Sequence, residues 1–140
     1  MNNPILAVRI HDKSEAGRAL GTALANLPME SHGVESFVEA KELIAQLQPL
    51  MVFVDSAIWR AARADILEAQ LAAAQFFNVI VVGSTSDIEI YVATLEQGAF
   101  EYTAPPFFQE TLNRLVQSAA MDARYRRESV ADLSEPFAAK

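Results

Sequence analysis

An α/β domain built on a five-stranded parallel sheet with helices on both faces is predicted by three features of this 140-residue sequence. Short apolar runs alternate five times with segments of helical periodicity, and the connections between them are short. The run LMVFV at 50–54 has no polar alternation, as in a strand covered on both faces. No internal repeat and no linker interrupts the pattern, so a single domain is expected.

The first strand is assigned to 5–10, ILAVRI, apolar except for Arg9. A helix follows over 14–27, with Ala16, Leu20, Ala23, Leu24 and Leu27 as its apolar stripe. Asp12 and Glu15 have the spacing of a capping box at its start, and Pro28 stops it. Residues 29–35 form a weak strand, as suits a sheet edge. Ser36 and Glu39 open a second helix, whose buried face is assigned to Val38, Leu43, Ile44 and Leu47 and which Pro49 ends. The central strand then delivers Asp55 at its end.

Residues 58–75, Ala-rich with Ile66, Leu67 and Leu71, read as the third helix, and NVIVV at 78–82 as the fourth strand. Ser86 and Glu89 form a third capping box. The helix they open carries Ile88, Val92 and Leu95 at helical spacing and ends at Gly98. A last strand at 99–103 precedes the turn at Pro105-Pro106. The final helix spans 109–127, with Leu112, Leu115, Val116, Ala119 and Ala123 on one stripe. Residues 4–127 thus make the domain, and 128–140, with little periodicity, a flexible C-terminal tail.

Composition narrows the function. The formal net charge of −7 repels phosphate backbones, so nucleic-acid binding by this domain is not expected. There is no run of about 20 apolar residues to span a membrane. The N-terminus lacks a basic stretch followed by an apolar one, so a cytoplasmic location is expected. The absence of cysteine removes disulfides, thiolate metal sites and thiol nucleophiles. His11 and His32 are isolated and do not make a zinc site. With no G-x-S-x-G, P-loop or G-x-G-x-x-G, the chain is not expected to be an enzyme. The basic cluster Arg124, Arg126 and Arg127 is explained by the attraction of cations to a helix C-terminus.

Open α/β sheets keep their sites at the carboxyl ends of their strands, which is where Asp55 falls. QPLMVFVD, ending in Asp55, resembles the third strand of the receiver domains of bacterial two-component response regulators. GAFEYTAPPF at 98–107 resembles their fifth-strand segment, G-A-x-D-Y-x-x-K-P-F. The resemblance covers about residues 4–127. It implies a flavodoxin-like, doubly wound (βα)5 fold with strand order 2-1-3-4-5, and it places Asp55 at the phospho-acceptor position.

The same resemblance shows what this chain lacks, and makes it a degenerate or pseudo-receiver. The acidic pair that holds Mg²⁺ falls at Arg9 and Ile10, or, two residues on, at His11 and Asp12, which restores one carboxylate. Asp12 is read as a helix cap, or alternatively as a metal ligand with Asp55. The lysine position is Pro105, and the hydroxyl position is Gly83. Ser84 or Thr85 are the candidates to supply the hydroxyl, and Tyr102 stands at the aromatic switch position. With the first and third strands adjacent, Arg9 is expected to reach Asp55 as its charge partner and hold it ionised. The Pro105–Pro106 bond is expected to be cis, as in receivers.

The expected function is therefore a signalling module acting by protein–protein contact without phosphorylation and without a cofactor. The resemblance assigns the contact to the face made by the fourth helix, fifth strand and fifth helix, with Ile90, Tyr91, Phe107 and Phe108 as candidates; homodimerisation through that face is a further option. One alternative is a working phospho-acceptor using Mg²⁺ on Asp12 and Asp55. Another is a flavodoxin-like enzyme or ligand-binding domain on the same sheet edge.

Overall fold

A computed structural model describes residues 4–10 and 13–138, with side chains through 129. Five parallel strands are ordered β2-β1-β3-β4-β5. They are β1 (Leu6–Ile10), β2 (Glu30–Val34), β3 (Met51–Asp55), β4 (Asn78–Val82) and β5 (Glu101–Thr103). The helices are α1 (Glu15–Leu24), α2 (Phe37–Leu47), α3 (Ser56–Ala72), α4 (Ile88–Glu96) and α5 (Gln109–Ala138). The predicted fold class and strand order hold.

Side chains alternate across the sheet and build two cores. Ala7, Met51, Phe53, Ile80 and Val82 pack with α1 and α5 through Leu20, Leu24, Leu112 and Val116. Val8, Ile10, Val52, Val54, Val79 and Val81 face the other way, onto Ala40 and Ile44 of α2 and Trp59 and Ile66 of α3. β3 and β4 are buried at every residue, which is why their sequences carry no polar alternation.

Several local assignments change. α1 is capped by Ser14, whose hydroxyl accepts from the Gly17 N–H at 3.0 Å. Asp12, assigned the cap from its spacing to Glu15, lies outside the described residues, as does His11. α4 is capped by Asp87 and not Ser86: its Oδ1 accepts from the N–H groups of Glu89 and Ile90 at 2.9 and 3.2 Å. α3 begins two residues earlier than expected because Asp55 itself caps it, and it is kinked at Ala62, where φ is −127° and ψ 19°. Val38, assigned to the buried face of α2, is exposed, as is Leu71 of α3.

The largest change is at the C-terminus. The helix expected to stop at Arg127 continues to Ala138, so 128–138 is helical in backbone. Apolar periodicity reports packing against a neighbour, whereas a helix needs only its own backbone hydrogen bonds and adequate propensity to continue. Arg127 is consequently not at a helix end. Its guanidinium donates to the carbonyls of Phe76, Gln48 and Pro49 at 2.7, 3.1 and 2.7 Å, so carbonyl capping replaces the dipole explanation of this cation. Among the described residues, no helix is long and apolar enough to cross a membrane.

Candidate acceptor site and docking face

Asp55 is the last residue of β3 and only 8% exposed. Both of its oxygens are engaged. Oδ1 accepts from the Ala57 N–H at 2.9 Å, and Oδ2 accepts from the Ser14 hydroxyl at 2.9 Å. Ser14 thus joins two helix starts, capping α1 while donating to the cap of α3. Lys13 before it has φ 73°, the left-handed region that non-glycine residues rarely enter, and this bend turns the chain from β1 into α1. Ser14 is the site residue that local spacing missed; its position just before the Ala/Leu stripe of α1 is the available signal.

Arg9 is not the charge partner of Asp55. It lies opposite Phe53 on β3 and Gly33 on β2, two residues short of Asp55 along the strand. Its Nε donates to the Ser31 hydroxyl at 3.0 Å, on the edge-strand side. The guanidinium fills space left by two glycines. A Cβ at Gly21 would stand 2.9 Å from its Nη1, and one at Gly33 would stand 3.0 Å from its Nη2. Arg9, Phe53 and Asp55 all border one small cavity, and the guanidinium sits on its Gly21 and Gly33 side. Burial lowers the guanidinium pKa from its ordinary value.

A cavity of about 570 Å³ adjoins Asp55, lined in part by Ser14, Glu15, Arg60, Ser84 and Pro105. Pro105 does reach the cavity, so the lysine position is occupied by a side chain with neither charge nor donor. Of the two hydroxyl candidates, Ser84 lines the cavity and Thr85 does not. The Pro105–Pro106 bond is cis, as expected. Among the described residues no group of three His, Asp or Glu side chains could hold a metal. Both Asp55 oxygens accept hydrogen bonds, and Asp12, the other carboxylate of the Mg²⁺ alternative, lies outside the described residues.

Tyr102, paired with Val81 of β4, is buried. Its hydroxyl donates to the Thr85 carbonyl at 2.7 Å, and its ring meets Tyr91 edge to face at a centroid distance of 6.4 Å. Burial, and secondarily the charge of Asp87, push its phenol pKa up. The folded state therefore holds this proton more tightly than the unfolded chain. The resulting stability is intact below about pH 10 and is lost as pH rises through the folded value. An absorbance titration of the wild type against Tyr102→Phe is expected to assign to Tyr102 a phenol titrating above the ordinary range. A difference curve centred at the ordinary tyrosine value would refute the assignment.

On α4, Ile88 and Val92, which lie at helical spacing, are exposed, Ile88 at 72%. The buried residue of this helix is Thr94. Ile90 and Phe108, at 41% and 67%, join them on the surface, whereas Tyr91 and Phe107 are half-buried. Beside them runs a groove of about 560 Å³ bounded by α4, β5 and α5, with Ile88, Tyr91, Phe107, Phe108 and Leu115 in its walls.

No family model matches the sequence. Over 119 residues, 85% of the chain, it is 27% identical to Regulatory protein AtoC of Escherichia coli (strain K12). That match covers 26% of the relative, so the chain spans about a quarter of its length. Among solved structures, NtrX from Brucella abortus superposes with a TM-score of 0.69 and 20% identity, over 94% of this chain and 29% of that one. A response regulator receiver protein from Burkholderia phymatum gives 0.66 and 20%, over 84% of this chain and 95% of that one. The fold is that of the receiver domains of response regulators, and the sequence match supports the same resemblance.

Proposed function

We propose that this chain is a receiver-like signalling module, not an enzyme, that acts by protein contact through the α4-β5-α5 face, with phosphorylation of Asp55 impaired or absent. The observation that carries the proposal is the state of Asp55: one oxygen is held by Ser14, the other by the Ala57 N–H, beside a proline where a cation is needed. A carboxylate so engaged is a helix cap before it is a nucleophile. The exposure of Ile88, Ile90, Val92 and Phe108, with Ile88 and Phe108 lining the same groove, supports the docking face, since large apolar side chains grouped in water mark interaction sites. A protein partner is the expected occupant, and a second copy of the chain is the other candidate.

The test is intact mass after incubation with acetyl phosphate and Mg²⁺, with Asp55→Asn as control. No gain in mass by the folded wild type is expected. A gain of one phosphoryl group, absent in the variant, would overturn the impairment and restore the alternative in which Asp12 and Asp55 hold Mg²⁺.

A further inference from the structure

We infer that Tyr102 is a fixed strut: seated over Gly83 and bonded to the Thr85 carbonyl, it holds the loop from β4 and the start of α4 in one arrangement whatever the state of Asp55. The inference concerns conformation alone and stands whether or not a partner docks on this face.

The geometry is carried by an absence of side chain at one position. A Cβ at Gly83 would lie 1.9 Å from the Tyr102 hydroxyl oxygen, 2.5 Å from Cζ and 2.8 Å from Cε1. No side chain at 83 is compatible with this placement of the ring. Gly83 is not among the residues with positive φ, so the backbone does not require glycine there. What requires it is the close approach of the ring.

The strut is tied at both ends. Its own backbone is locked to β4 by the Val81↔Tyr102 register and by the Gly83 N–H donating to the Thr103 carbonyl at 2.9 Å. Its far end grips Thr85, two residues before the Asp87 cap of α4. The edge contact with Tyr91 adds a third fixed point inside α4 itself. A ring that needs an empty site at 83, and has one permanently, has no neighbour to drive it out. The exposed side chains Ile88, Ile90 and Val92 of α4 are thereby presented ready-formed, which spares a partner the cost of ordering them.

The experiment combines amide exchange with aromatic NOEs. In the wild type, contacts between the Tyr102 ring and both Gly83 and Tyr91 are expected, and to persist unchanged on adding acetyl phosphate and Mg²⁺. Gly83→Ala is expected to abolish the ring contacts and to speed amide exchange over 84–91 by about tenfold or more, leaving β1 and β3 unchanged. Tyr102→Phe keeps the ring and removes only the bond to Thr85; exchange in the same segment is expected to rise about five- to tenfold. This variant carries the test should Gly83→Ala fail to fold.

Ring contacts that move on adding the phosphodonor, or exchange over 84–91 that either folded variant leaves unchanged, would overturn the strut. The mass measurement separates this from the functional reading. Asp55 phosphorylated with Tyr102 unmoved would end the impairment proposal and leave the strut standing.

Discussion

Replacing Trp59 with alanine is expected to lower the unfolding free energy by about 3–5 kcal/mol, the range for deleting a large buried aromatic. Trp59 is 2% exposed and fills the core between the sheet and the first turn of α3, before the kink at Ala62. Its indole N–H donates at 2.9 Å to Oε1 of Gln97, the residue that ends α4. The substitution therefore opens a cavity and leaves the Gln97 amide without its donor. Trp59→Phe, which retains most of the ring and loses the bond, is expected to cost about 1–2 kcal/mol. Because this is the only tryptophan, unfolding is best followed in urea by far-ultraviolet circular dichroism. A loss under about 1 kcal/mol for the alanine variant would show that the site collapses without a cavity.

The position of Trp59 also bears on what the sequence made legible. The strands were readable because β3 and β4 are buried on both faces, and their composition records it directly. Helices were readable as periodic segments, but periodicity alone does not say what a stripe packs against. On α1 and α5 it faces the sheet. On α4 the same spacing puts Ile88 and Val92 in water, so periodicity there marks an exposed face and not a core one. Helix starts were missed for a related reason. Ser14 and Asp87 cap their helices two and one residues from the caps that local spacing favoured, Asp12 and Ser86, and Asp55, visible as a strand end, also caps α3.

The site was legible at single positions and not in its contacts. Asp55 follows from strand end and fold class together. Its bond to Ser14 joins residues from two different βα connections, and no local pattern encodes that meeting. The course of Arg9 depends on glycines in α1 and β2, elements whose approach only the folded chain defines. Gly83 and Tyr102 were each visible as positions in a motif. That the one makes room for the other becomes visible only when β4 and β5 lie side by side.

Arg127→Ala is expected to cost about 2–3 kcal/mol, more than an exposed arginine contributes, because the side chain bonds to three carbonyls that no other group replaces. Those carbonyls belong to the segments entering β3 and β4, so the guanidinium ties α5 to the amino-terminal edge of the two most buried strands. Burial, with a smaller effect from Arg124, lowers its pKa from the ordinary value. The charge nonetheless persists at neutral pH, because a guanidinium is not deprotonated in proteins. Arg127→Lys should recover little of the loss: one ammonium is a point donor and lacks the fork that spans Phe76, Gln48 and Pro49. Arg126→Ala provides the contrast. Arg126 pairs with Asp122 at 2.9 Å on the exposed side of the same turn and is expected to cost less than about 1 kcal/mol. Urea unfolding of the three variants decides the matter. Equal losses for the alanine variants at 126 and 127, or full rescue by lysine, would mean that charge near the helix and not carbonyl capping is what this arginine supplies.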